Sequence, residues 1–306
     1  MPDGWITAAG IVFEILTGVK NRMEKPDTIY PVGLFHRFVK PSQKWLDTIE
    51  KTRESERIIR EKFPTEAEQI KASCARIASE LPQGFQLPDV SEDPRLFCAS
   101  VMTIRGPESQ KKTQRLVREL ARLIDFLSLK APLPDNEAAL LDLWTSANRL
   151  EPGIETYLPA HFRTAADPVP FVRAGTLEDR KTSGPLRKSA PVQEISELTG
   201  RLLSWLKTPG LSWELRAFTA HHLLAYIHPF AEGNGHTARL LCLGLLSSLY
   251  GPLTLTSTLR EMIRYRWFLF ESIHEDIELD GDMCPACCDM SLLLIRGQER
   301  ILEDML

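Results

Sequence analysis

His228-Pro229-Phe230-Ala231-Glu232-Gly233-Asn234-Gly235-His236-Thr237-Ala238-Arg239 joins two helix candidates, and its reading decides the fold. Pro229 disfavours continuation of the preceding helix, while Gly233 and Gly235 permit a tight curve that turns amide hydrogens inward. The helix that follows points its N-terminus at the same volume, which suits a phosphate. Arg239, one turn inside, can add a two-pronged donor. His228 can accept a proton from an incoming alcohol, and Glu232 is an oxygen ligand suited to magnesium. Phe230 turns into the core and holds the loop. Taken singly, each polar residue also has a structural reading as a core histidine, loop carboxylate, turn residue or salt-bridge partner. Their joint spacing between two strong helix patterns points to phosphoryl or nucleotidyl transfer.

Upstream of this stretch, helical spacing runs from about Trp213 to Tyr226; downstream it runs from about Thr237 to Tyr250, where Gly251-Pro252 ends it. Ile195, Leu198, Leu202, Leu203 and Leu206 mark a helix before Pro209-Gly210. Leu116, Leu120, Leu123, Ile124 and Leu127 mark another, and Leu140, Leu143, Trp144 and Ala147 a third. Thr65 and Glu68 form a capping box for a helix over 66–80. Between Glu151 and Pro191 the periodicity weakens. Val169–Val172 suggests a short strand, and Gly184–Pro191 a hairpin or flap. Proline and glycine between Leu81 and Pro94 mark a boundary near residue 92, dividing an N-terminal helical region (1–92) from the remainder (93–306). No strand-helix alternation precedes the glycine loop, so an all-α assembly with one hairpin is expected rather than a nucleotide-binding parallel sheet.

With 37 basic against 41 acidic side chains, the chain carries a net charge of −4, which argues against a generic nucleic-acid surface. Hydrophobic residues are 43% of the 306, enough for a substantial core. The most apolar helix candidate, Leu240–Leu249, has about half the length needed to span a bilayer. Without a cationic and apolar leader, and with six cysteines too unevenly placed for a disulfide framework, a reducing cytoplasm is expected. Cys284-Pro285-Ala286-Cys287-Cys288 invites a zinc reading. No second pair follows it, and His274 or Asp282 would have to complete the shell, so structural thiols at the start of a terminal helix are the expectation. Amphipathic stripes leave a homo-oligomer open.

Residues 228–239 resemble the active-site motif of the Fic (Fido) family, His-Pro-Phe-x-Asp/Glu-Gly-Asn-Gly-Arg-x-x-Arg, departing from it at His236, where arginine is usual. The order of helices from about Leu116 to Leu249 also looks like the family core, and the resemblance covers about residues 95–306. It implies transfer of AMP from ATP to a Ser, Thr or Tyr hydroxyl of a target protein, with magnesium as cofactor and pyrophosphate leaving. Carried over by position, His228 is the base and Glu232 the metal ligand. Gly233, Asn234 and Gly235 form the anion loop, Arg239 contacts the terminal phosphate, and Gly184–Pro191 contains the flap that aligns the target. His236 either contacts phosphate or caps the new helix. It cannot reproduce the five-donor guanidinium fork, so transfer from another nucleotide or a phosphate-linked donor, or a non-catalytic binding or regulatory module, are the alternative readings.

Many members of that family also carry a Ser/Thr-x-x-x-Glu-Gly/Asn segment whose glutamate clamps the second motif arginine. Its upstream equivalent here is Ala99–Gly106, with Arg105 in the glutamate place, where like charge would repel Arg239. Leu150-Glu151-Pro152-Gly153 resembles the segment only superficially. The expectation from sequence is a chain without the usual clamp.

Overall fold

A computed structural model describes residues 29–34, 37–81, 93–104, 110–130, 133–148, 158, 160–167, 171–172, 187–265 and 281–306. Its helices are α1 (Gln43–Lys62), α2 (Glu66–Ser79), α3 (Pro94–Thr103), α4 (Lys111–Leu129), α5 (Glu137–Asn148), α6 (Ile195–Leu206), α7 (Trp213–Ile227), α8 (Asn234–Leu246), α9 (Pro252–Arg264) and α10 (Cys284–Glu303). Two short antiparallel ladders accompany them. In the first, β1 (Tyr30–Pro31) pairs with β2 (Phe38–Val39); in the second, β3 (Phe171–Val172) pairs with β4 (Arg187–Lys188), Phe171 opposite Lys188. The fold is therefore all-α with a minor hairpin, as the sequence predicts. The expected boundary near residue 92, the residues Arg105, Glu151 and His274, and the segment 184–186 lie outside the described residues.

Local chemistry sets the helix ends. Thr65 and Glu68 close the capping box reciprocally, Thr65 Oγ1 accepting from Glu68 N and Glu68 Oε2 from Thr65 N. Ser212 accepts from Leu215 N to start α7, and Pro252 occupies the first turn of α9. Helix α8 begins three residues before the expected Thr237, because Gly233 takes a left-handed conformation (φ 80°) and lets the coil start at Asn234. It also stops earlier, at Leu246, and Ser247–Tyr250 fold into turns.

Helices α7 and α8 are buried on most of their faces, polar residues included, and lie inside the fold. Leu215, Phe218, Leu224, Leu241, Leu243 and Leu246 are completely or nearly completely buried. The same apolar cluster takes in Trp45 of α1, Phe97 of α3, Leu123 and Ile124 of α4 and Leu294 of α10. Two of its buried polar groups are paired across the fold, as burial favours. Glu214 receives Arg53 Nε and NH2 at 2.8 and 2.9 Å and the Tyr250 hydroxyl at 3.0 Å, while Trp45 Nε1 donates to Ser291 Oγ at 2.9 Å. The first three turns of α1 thus dock against α7 and α10.

The six cysteines are free thiols, five of them buried. Asp282, a candidate zinc ligand from the sequence, accepts instead from the backbone N–H groups of Lys40 and Cys284. Among the described residues no cluster of three or more His, Cys, Asp or Glu could hold a metal ion. None of the described helices is long and apolar enough to cross a membrane.

Candidate active site

The loop between α7 and α8 is built by its own side chains. His228 ends α7 in a left-handed conformation (φ 53°, ψ 57°), its N–H bonded to Leu224 O at 3.0 Å. For a residue with a Cβ that conformation costs on the order of 1–2 kcal/mol, so the surroundings must hold it. Phe230 is buried and packs between Trp144 and Phe162, with ring centroids 5.7 Å from each. Asn234 closes the curve: its Oδ1 accepts from Phe230 N at 2.9 Å and its Nδ2 donates to Phe230 O at 2.7 Å. Its side chain is thus committed to bracing the loop, and what Asn234 can offer an anion is its backbone N–H in the first turn of α8.

Gly233 and Gly235 serve different ends. A Cβ on Gly233 would lie 2.3 Å from Asn148 Oδ1, in a backbone region that side chains rarely adopt. Gly233→Ala is expected to displace both the loop and Asn148 and to lower stability by ~1–3 kcal/mol; a thermal unfolding curve superimposing on wild type would count against this. At Gly235 a Cβ would meet Arg239 NH1 at 3.2 Å, so the guanidinium lies back along the helix toward the loop.

Arg239 and His236 are not free. Glu119 of α4, 5% exposed, receives Arg239 NH2 at 3.2 Å on each oxygen, and His236 Nε2 lies 2.6 Å from its Oε1. Arg122 NH1 stands 3.7 Å from the same oxygen. Burial pushes the Glu119 carboxyl up, but Arg239, His236 and Arg122 outweigh it and hold the group well below the usual carboxylate range. Glu119, Arg122, His236 and Arg239 line one narrow crevice together with Leu123, Ala147 and Leu240. A carboxylate from the chain itself therefore occupies the donors that the motif would offer a phosphate. The expected absence of the usual clamp concerned the segments around Arg105 and Glu151, which lie outside the described residues; the glutamate that meets Arg239 comes from α4. Its signal was present in the sequence, since Glu119 interrupts the stripe Leu116, Leu120, Leu123 at core spacing.

Asn148, absent from the sequence reading, ties α5 to the start of α8. Its Nδ2 donates to Trp144 O (2.8 Å) and Thr237 Oγ1 (3.3 Å), and its Oδ1 lies 3.0 Å from His236 Nδ1. Because Nδ2 faces a carbonyl, Oδ1 is the acceptor, so His236 presents an Nδ1–H to it and aims Nε2 at Glu119. His236 is thus neither a simple helix cap nor an idle substitute for arginine; it is the second partner of the internal carboxylate.

His228 is half-buried, and its imidazole is pushed down to about 4, chiefly by burial and further by the Arg163 cation, with the Ala225 carbonyl opposing. It is therefore a neutral ring at physiological pH, the form that can accept a proton. Arg163, also absent from the sequence reading, donates through Nε to His228 O at 2.7 Å and through its backbone N–H to Pro229 O at 2.8 Å. Glu232 is exposed at the lip of the loop, its carbonyl held by Trp144 Nε1 at 2.8 Å. A single exposed carboxylate beside an anion loop fits magnesium brought in on phosphates, since that ion commonly takes one or two carboxylates and completes its shell with substrate oxygens and water. Behind Arg239, His221 is buried and lowered to about 3 by burial and then by Arg239.

Residues 155–246 match the family model described as Fic/DOC family. Among solved structures the chain is similar to a Fic family protein from Desulfovibrio desulfuricans G20, with a TM-score of 0.55 and 16% sequence identity; the match covers 92% of this chain and 78% of that one. At that identity the likeness is one of fold.

Proposed function

From the match of residues 155–246 to the Fic/DOC family model, we propose that this chain is a Fic-type enzyme that transfers AMP from ATP to a Ser, Thr or Tyr hydroxyl of a target protein. The observation that carries the reading is the placement of His228, which ends α7 and opens a loop whose curve leads into the N-terminus of α8. His228 takes the proton from the attacking hydroxyl as its oxygen bonds to the α-phosphorus, and pyrophosphate departs. Gly233, Asn234 and Gly235 offer backbone N–H groups to the phosphates. Arg239 and His236 bind phosphate oxygens once Glu119 withdraws. Glu232 would hold magnesium, which when bound neutralises charge on the leaving phosphates. The β3–β4 ladder lines up the target segment. Residues 1–92 either support the core or select the partner, in a reducing cytoplasm.

In this reading the resting protein is held back by Glu119, which competes with phosphate for Arg239 and His236. Intact-mass measurement tests the proposal. Incubation of the protein and candidate target extracts with ATP and magnesium should add the mass of one AMP to a target or to the chain itself. Addition from GTP or CTP alone would redirect the donor, an outcome that His236 in an arginine position makes worth measuring. Absence of saturable nucleotide binding by a folded Glu119→Gln protein would favour a non-catalytic module.

A further inference from the structure

Arg163 lies in the chain before β3, outside the twelve-residue motif, yet it makes three contacts that converge on the reacting loop. Its backbone N–H donates to Pro229 O at 2.8 Å and its Nε to His228 O at 2.7 Å, while its NH2 donates to the carbonyl of Ala190. Ala190 follows β4 and belongs to the segment read as the end of the flap. The side chain is 6% exposed, so these carbonyls have replaced water around a guanidinium, and losing any one would leave a buried polar group unsatisfied. A planar guanidinium can hold two carbonyls on different segments at fixed directions, which an ammonium on a flexible stem cannot.

We propose that Arg163 is a positioning residue: it fixes the left-handed backbone of His228 and locks the base to the flap-end segment at Ala190, so that base and target strand keep one geometry. This rests on the adenylyl-transfer reading for its purpose, but not for its physical content. The strained φ of 53° needs an external restraint, and the two bonds to consecutive carbonyls, His228 O and Pro229 O, supply it from one residue. The same placement puts a cation beside the imidazole. Among the described residues Arg163 is the charged group acting on His228; Asp167 acts on Arg163 in turn, and His161 on Asp167, while the Ala225 carbonyl approaches the ring from α7.

The test compares wild type, Arg163→Lys and Arg163→Met without nucleotide, by amide hydrogen exchange and by NMR titration of the His228 ring. In both variants exchange should accelerate by about tenfold or more in 228–233 and in 187–191 together, because one tie serves both segments. The His228 midpoint should rise from about 4 in Arg163→Met and stay low in Arg163→Lys, which keeps the charge. In the transfer assay Arg163→Lys should raise the KM for target more than the KM for ATP. Acceleration confined to one segment, or general loosening with an unmoved His228 midpoint in Arg163→Met, would overturn the proposal. Should Arg163→Met fail to fold, exchange in Arg163→Lys decides alone. A Glu119→Gln protein that binds ATP but transfers no AMP, while both exchange patterns appear, would refute the adenylyl-transfer reading and leave the tie standing.

Discussion

Glu119→Gln should bind ATP–magnesium roughly tenfold or more tightly than wild type, within the 5–150-fold range of ordinary coupling between competing contacts. In the resting protein the Glu119 carboxylate engages Arg239 and His236, and it lies at the start of α8 where phosphate would come. Glutamine keeps the shape and removes the charge, so it ceases to compete. It also leaves three cationic or protonatable partners, Arg122, His236 and Arg239, without their anion. Breaking a buried ion pair from one side costs about 3–5 kcal/mol, so the melting temperature should fall and then recover on adding ATP or inorganic pyrophosphate. Titration calorimetry reads the first effect and thermal unfolding the second. Unchanged affinity in a folded variant would show that Glu119 is a structural counter-ion and not a competitor.

The pH dependence of stability follows from the same carboxylate. Its folded-state value is depressed, so its contribution is present above the ordinary carboxylate value of about 4.3 and is lost as pH falls through the depressed value. Wild type should therefore lose stability on acidification over that window, and Glu119→Gln should show a flatter acid limb. Equal slopes in denaturant melts across that window would contradict the assignment.

His228→Ala should lower the transfer rate by about 10²–10⁴-fold while leaving ATP affinity nearly unchanged, because the ring is assigned to the acceptor hydroxyl and not to the phosphates. Measured in the Glu119→Gln background, where the anion loop is open, the loss is separable from weak nucleotide binding. The acid limb of the wild-type rate should have its midpoint near 4 rather than near the ordinary histidine value of about 6.5, since burial and Arg163 keep the ring neutral. An acid midpoint above 6, or transfer that survives His228→Ala, would remove His228 from its role.

The motif was legible because its residues are local. The loop from His228 to Arg239 is twelve consecutive positions whose glycines, proline and helix start act within a few ångströms of one another, and the stripes of α4, α5 and α6 declare their helices by spacing alone. Phe230 as a core anchor was legible for the same reason, whereas the pairing of Phe171–Val172 with Arg187–Lys188 joins two segments that the sequence shows only separately. What escaped was contributed across the fold. Glu119 meets Arg239 over 120 positions, Asn148 meets His236 over 88, and Arg163 meets His228 over 65. None of these belongs to a local pattern, although a carboxylate within the apolar stripe of α4 is an anomaly that asks for a buried cation. Asn234 carries a different lesson: its position in the motif suggested a phosphate contact, but both ends of its amide are used by Phe230.

The most direct test of the central claim uses the Glu119→Gln protein, magnesium and target extract with ATP labelled in parallel at the α- and the γ-phosphate. AMP transfer requires protein-bound label from the α-labelled nucleotide alone, with labelled pyrophosphate released from the γ-labelled one, and no protein label after adding His228→Ala. Protein label from the γ-phosphate, or α-label that persists in the Glu119→Gln/His228→Ala double variant, would contradict it.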